Sequence, residues 1–495
     1  MSESPQKDEP VEKKESVKSL ESKFLTRTRT IIAIIIFSSI LLLGIPLFIS
    51  TTTIHRANLP IDEINQLNPA SQLQFQIPVY LTGDEGITGF GNQDVYNQQL
   101  KTRYPNLNIW SIKLVNEETP ENYHVNVKSG AESSYEVSLY DKQIDVVVTK
   151  DTKIDEYISS ILYDAIFKYE LENLESNIHS TIAFPYSSKF NIVFSLLVEN
   201  GIQTNWEIDQ AIEKFKPLLN SFNHIANFSI TSQIQYYSKL SKKYQKSETT
   251  YKLSETDLPT FVNFENWSLE NYDINPTINF LIYFPESNYE GIPLIIENTS
   301  TNSFLIPQWG GVAILNKDKP ILQDTTTQIT SRDLEPIMNI FASQLYQLLG
   351  VESLTPKNPQ IRIDSLSRLL IVSNIKKSLD NLKSLLKLAN TLNEITIPEE
   401  TKLSVDTSLI EINQAIELVK SGRFKLATVS SSQALIDSER AFFEKKMVQQ
   451  AYFPNEHKLA VFLPLLGPVG SILLFGILKL ISDFKQKRKE KKKQE

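Results

Sequence analysis

The sequence of 495 residues contains no cysteine and only five histidines, His55, His124, His179, His224 and His457. The missing thiol excludes a cysteine nucleophile, a disulfide framework, a cysteine-ligated zinc site and an iron–sulfur site within this chain. Positive charge is also short overall. There are 50 Lys and Arg against 58 Asp and Glu, a net charge of −8, which argues against general nucleic-acid binding. The chain is not short of apolar matter: 41% is hydrophobic, with 25 Phe and 19 Tyr, and 22% is charged. That balance belongs to a folded protein rather than a mostly disordered one. The length allows one large domain or two to three smaller ones.

Two long runs lack charge altogether. Ile31 to Ile49 reads IIAIIIFSSILLLGIPLFI, and Leu459 to Leu478 reads LAVFLPLLGPVGSILLFGIL. As helices, each is close to the length needed to cross a hydrocarbon core about 30 Å thick. A cleaved signal peptide is the alternative for the first. The run is too long for that, thirty residues precede it, and no small-residue cleavage site follows. A buried soluble helix is the alternative for the second, and the basic stretch from Lys479 onward opposes it. Glycines in such helices permit close approach of a neighbour, so Gly44, Gly467 and Gly470 are candidate helix contacts. Lys and Arg flank the outer end of each run, so both termini are expected in the cytosol. Everything between the ends carries 35 Lys and Arg against 49 Asp and Glu, a net −14, and is expected on the far side. Three acceptor triplets fall in that part: Asn227-Phe228-Ser229, Asn266-Trp267-Ser268 and Asn298-Thr299-Ser300. The closing Lys492 and Lys493 stand fourth and third from the carboxyl end, where they suit a dilysine retrieval signal or an ordinary basic stop.

Patterning divides the rest. Residues 1–26 are polar, and the spans are placed at 27–50 and 457–481, with a basic tail at 482–495. From 51 to 360, β-branched and aromatic stretches alternate with helical ones, predicting an α/β domain with a mixed sheet. Strands are expected near 78–82, 108–114, 135–140, 144–149, 190–199, 228–237, 278–285 and 311–316. Helices are expected over 154–174 and 206–222, with another starting at Ser331 and stopping at Gly350. From 361 to 452, leucine spacing predicts a C-terminal helical bundle, with a break near Ser421-Gly422.

A search for chemistry is mostly negative. There is no HExxH, G-x-S-x-G, Walker A or EF-hand pattern. Gly86, Gly89 and Gly91 lack dinucleotide spacing and suit a turn. Asp84 and Glu85 could meet a cation, although adjacent acids in such a loop are usually solvated. Trp309-Gly310-Gly311 suits a tight corner of the core. No catalytic, cofactor-binding or metal-ligating residue is assigned.

Three segments, GIPLFISTTTIHRANLP (Gly44–Pro60), IPQWGGVAILN (Ile306–Asn316) and YFPNEHKLAVFLPLLGPV (Tyr452–Val469), resemble those of the PIG-S family, a subunit of the endoplasmic-reticulum GPI transamidase, in a fungal version. The resemblance implies an accessory subunit supporting a complex that cuts precursors near the C-terminus and transfers them to a GPI lipid. The family's cysteine nucleophile sits on a different subunit, which agrees with its absence here. Implied partners are the other transamidase subunits and the bilayer, with the GPI lipid or the precursor protein within the complex, and no nucleic acid or cofactor. Against this stand a membrane-anchored hydrolase or transferase with an unrecognised site, and a lumenal tether unrelated to GPI.

Overall fold

The computed structural model describes residues 55–447 apart from 86, 177–182, 241–244, 247–248, 263–274, 318–325, 352–356, 393–394 and 446. It also describes scattered helical residues between 24 and 46 and between 464 and 488. Among the described residues, no helix is long and apolar enough to cross a membrane. The chain divides into two compact units.

The larger unit, Pro60–Lys383 with Ser404–Glu439, holds two five-stranded sheets. The first contains β1 (Phe75–Gly83), β2 (Trp110–Val115), β3 (Tyr123–Ser129), β4 (Ser134–Val137) and β5 (Gln143–Val148), in the order β2-β1-β3-β5-β4. Strands β2, β1, β3 and β5 run parallel, and β4 closes the edge antiparallel. The second contains β6 (Lys189–Val198), β7 (Asn227–Gln235), β8 (Thr277–Phe284), β9 (Ser303–Ile306) and β10 (Gly310–Ile314), in the order β7-β6-β8-β10-β9. Here too the edge strand β9 alone is antiparallel. The two sheets therefore repeat one topology: first strand inside, second at the edge, third on the other side, and a hairpin closing the far edge. A helix follows the first strand each time, α1 (Gln93–Arg103) and α4 (Ile208–Ser221). Helices also follow the last strand each time: α2 (Ile154–Ile161) and α3 (Lys168–Ser176) in one half, α5 (Ser331–Leu348) in the other. A π-helical turn, Leu162–Ile166, separates α2 from α3.

The sheets differ in burial, and the residues say why. Strands β3 and β5 alternate, with Tyr123, Val125, Val127, Ile144, Val146 and Val148 on the buried face and polar residues between them. One face is packed and the other half-exposed. Strands β6 and β8 are apolar almost throughout and are buried on both faces. On one face Phe194 and Phe280 stack at 5.5 Å, and Phe341 of α5 stacks on Phe280 at 4.6 Å. On the other, Leu197, Leu281, Tyr283 and Val312 meet Leu253, Phe261, Leu294 and Ile296. Pro78 is tolerated inside β1 because β3 begins to pair only at Val79, so that side loses no ladder bond.

Three long helices follow: α6 (Pro359–Thr391), α7 (Glu399–Lys420) and α8 (Phe424–Phe442). The α7–α8 break falls at Ser421-Gly422, where Gly422 adopts φ +74°. Helix α5 starts at Ser331, where it was expected; Thr330 is its N-cap and forms a capping box with Asp333. Gly350 ends that helix with φ +89°. The strand β3 was not expected. Its polar alternate residues, His124, Asn126 and Lys128, mask a half-buried strand. The smaller unit comprises Met1–Leu59, Ser384–Leu403 and Arg440–Glu495. In it Arg56 bridges to Ile397, Ala57 N–H donates to the Ile397 carbonyl at 2.9 Å, and His55 meets Glu399 at 3.1 Å.

The Trp309-Gly310-Gly311 corner is a three-residue hairpin loop, Pro307 to Trp309, running into β10. Trp309 packs against the face of the second sheet that carries Leu281, Tyr283 and Val312. A Cβ at Gly310 would collide with the Asn279 backbone of β8, whereas one at Gly422 would meet open space. Gly310→Ala is expected to lower stability by about 2–4 kcal/mol, and Gly422→Ala by about 1 kcal/mol through its positive φ alone. Thermal unfolding of the two purified variants checks the order; equal shifts would contradict the packing account.

Candidate functional site

In open α/β sheets ligands gather at the carboxyl ends of the strands, often on a helix N-terminus. Both sheets close that position with the chain's own carboxylates. After β1, the loop to α1 brings the backbone N–H groups of Gly91 and Asn92 to Asp155 of α2, at 2.7 and 3.0 Å. Tyr96 donates to the same carboxylate at 3.1 Å. An internal anion thus occupies the place a phosphate would take. The glycines serve the turn: Gly89 and Gly91 have φ +82° and +96°. In the second sheet, Glu199 beyond β6 accepts from Glu286 N–H at 2.7 Å. Glu207 accepts from Ser331 N–H at the start of α5, at 2.9 Å.

The open feature lies elsewhere, on the half-exposed face of the first sheet. A cavity of about 470 Å³ is floored by Gln76 and Pro78 of β1 and Lys113 and Val115 of β2. Its wall is a stripe of α6, Gln360, Asp364 and Arg368, spaced four residues apart and so stacked on one side of the helix. The α7–α8 turn, Lys420 to Leu426, supplies the rim.

Behind the wall lies the most demanding electrostatic element of the unit. Arg368 and Glu170 of α3 are about 1% and 0% exposed. Their contact is bidentate, Nε to Oε1 at 2.7 Å and Nη2 to Oε2 at 2.6 Å. Trp110 Nε1 donates to Glu170 at 2.8 Å and Ser365 Oγ at 2.9 Å, so both carboxylate oxygens are satisfied twice. The Tyr123 hydroxyl accepts from the guanidinium at 3.3 Å and donates to Asp364 at 3.3 Å. Lys142 closes the chain with an ion pair to Asp364 at 2.5 Å. Rings of Tyr123, Phe167 and Phe424 surround the guanidinium at 5.7–5.9 Å. Burial works against the Arg368 charge, but Glu170, Tyr123 and Asp364 together outweigh it and raise its pKa. Burial pushes the Tyr123 hydroxyl far above the ordinary tyrosine range, so it stays a neutral donor. The arrangement can fix helices and present charge. It offers no nucleophile beside a base.

The histidines do not converge. His55 pairs with Glu399, and His124 with Glu118 at 3.4 Å. His179 and His457 lie outside the described residues. His224 faces Ser367 of α6 at 2.8 Å. The Ser367 hydroxyl donates to the Ile363 carbonyl, so it accepts from the imidazole N–H. Among the described residues, no group of three acids or histidines could hold a metal ion. Asp84 and Glu85 are exposed.

The remaining expected positions are scattered. Asn227 is exposed at the first residue of the edge strand β7. Asn298 is exposed on a turn with φ +61°. Asn266, Lys492 and Lys493 lie outside the described residues. Gly44 ends a π-helical turn, Ile40–Gly44. Gly467 and Gly470 are helical, and among the described residues nothing beyond the adjoining helix backbone lies within 4 Å of a Cβ built at either. The charged cavity was not found from sequence, because its residues come from five separate stretches, 76–78, 113–123, 142, 360–368 and 420–426.

Residues 35–487 match the model of the family described as Phosphatidylinositol-glycan biosynthesis class S protein. The chain is similar to GPI transamidase component GPI17 of Saccharomyces cerevisiae, 30% identical over 91% of both chains. It is similar to the GPI transamidase component PIG-S homolog of Schizosaccharomyces pombe, 26% identical over 92% of this chain and 85% of the relative. It is also similar to human GPI-anchor transamidase component PIGS, 29% identical over 62% of this chain and 59% of the relative.

Burial, with Lys425 adding to it, holds the His224 pKa down at about 4, while nearby Asp364 opposes the shift. The unfolded chain takes up this proton near 6.5 and the folded one only near 4. Stability is therefore expected to fall as pH drops through that window and to level off below it. In His224→Gln this component disappears. Unfolding midpoints at several pH values check it; an unchanged pH profile in the variant would contradict it.

Proposed function

The chain belongs to the PIG-S family, and on that premise we propose that it is a non-catalytic subunit of the GPI transamidase complex in the endoplasmic-reticulum membrane. The observation that carries the reading is the family match over residues 35–487, joined to whole-length relatives named as transamidase components. Two features of the chain support the accessory role. It has no cysteine, so any thiol step in the complex must use another chain. The usual ligand positions of both sheets are closed by Asp155, Glu199 and Glu207.

The proposed topology has cytosolic tails at 1–26 and 482–495, membrane helices at 27–50 and 457–481, and lumenal parts at 51–360 and 361–452. Described residues in both apolar runs are helical and point large side chains outward: Leu43 is 69% exposed and Phe475 is 68% exposed. Such surfaces are costly in water and suited to lipid. Gly467 and Gly470 leave room for a neighbouring helix of another subunit. The GPI lipid and the precursor protein are further proposed partners. Asn227, Asn266 and Asn298 are proposed glycan acceptors in the lumen, and Lys492 with Lys493 a proposed retrieval signal.

Deleting residues 60–452 should abolish co-purification with the other transamidase subunits, and persistence would overturn the docking role. Gly467→Leu with Gly470→Leu should lower the yield of complex while leaving the chain in the membrane. Asn298→Gln should remove one endoglycosidase-sensitive step from the mobility of the protein. A glycan-free wild-type chain, or digestion of its middle by protease outside sealed microsomes, would contradict the topology.

A further inference from the structure

We propose that the cavity between the first sheet and the α7–α8 turn is a binding site for a phosphate group, as a free ion or as a phosphate ester. The chain as a whole is acidic, at −8. The cavity reverses that balance. Lys113, Lys142, Arg368, Lys420, Arg423 and Lys425 line it, against only Glu121 and Asp364. Half of these cations are already committed: Arg368 to Glu170, Lys142 to Asp364 and Lys420 to Glu417. Lys113, Arg423 and Lys425 have no carboxylate partner among the described residues. They come from two elements, β2 and the α7–α8 turn, and they share one concave space.

Three further facts favour phosphate over a diffuse basic surface. The volume, about 470 Å³, lies within the roughly 300–1,000 Å³ of small-ligand sites. The first turn of α8, Phe424 to Leu426, opens on the same space, so its free N–H groups and positive dipole add to the side-chain charge. Arg423 stands at the mouth with its Nε bonded, among the described residues, only to Ser421 Oγ at 3.2 Å, leaving the rest of its planar fork for a bidentate oxyanion contact. The committed pairs behind the wall keep α6 in place without competing for the ligand, because each already has its own carboxylate.

The test uses the full chain in detergent at low ionic strength, with binding followed by calorimetry and by the unfolding midpoint. Inorganic phosphate should bind saturably and raise the midpoint, and sodium chloride at equal ionic strength should not. In Lys113→Gln with Arg423→Gln the dissociation constant should rise at least about tenfold, the loss of one good charged contact. Both positions are exposed, so the variant should keep the wild-type unfolding midpoint without ligand. myo-Inositol 1-phosphate is the second arm. Tighter binding than inorganic phosphate assigns the site to a lipid headgroup, and equal binding assigns it to the phosphate ion itself. No chloride-corrected binding of either probe overturns the proposal, as does undiminished binding by the variant. Binding of an acidic peptide in place of both phosphates would also overturn it.

Discussion

Burying an arginine and a glutamate together is expensive, and the larger unit is organised around making it tolerable. Taking either charge out of water costs several kcal/mol, which only near-ideal geometry and full hydrogen bonding recover. Glu170 and Arg368 meet both conditions through Trp110, Ser365 and Tyr123. The pair and those partners come from β2, β3, α3 and α6, so the pair can form only when sheet and helices are all in place. Its position in turn fixes Asp364 and the α6 stripe that walls the cavity. A hydrophobic contact of the same area would hold the helix as well but would tolerate sliding along it. A bidentate pair tolerates little, and register is what a charged cleft between two elements requires.

The repeated strand order gives the second theme. Two sheets of the same topology carry different surfaces: one is half-exposed, the other buried on both faces. In each, the strand ends where open α/β sheets take ligands are tied down by internal carboxylates. An architecture that often hosts nucleotide chemistry here has those positions filled from within. That suits a subunit of a larger complex.

Much of this fold was legible in the sequence, and the exceptions have physical causes. The continuous apolar runs 190–199 and 278–285 announce central strands because both their faces are buried. The break at Ser421-Gly422 is legible because only glycine takes φ +74° without strain. β3 was missed because His124, Asn126 and Lys128 occupy its open face. The duplication was missed because a shared strand order needs no shared residues, only matching burial. The cavity was missed for a different reason. Arg368 sits in a leucine-spaced helix where its charge reads as a surface residue, and nothing local marks its partner 198 positions away.

The coupling between Glu170 and Arg368 tests the account most directly. It is measured as a double-mutant cycle with Glu170→Gln and Arg368→Met, from the unfolding free energies of the purified chain. The single Arg368→Met leaves a carboxylate buried and unpaired, so a loss of about 3–5 kcal/mol is expected from it, with a coupling energy above about 1.5 kcal/mol. The double variant should be more stable than Arg368→Met alone. Additive losses, with the double variant the least stable of the three, would mean that the two charges do not hold the sheet and the helices together.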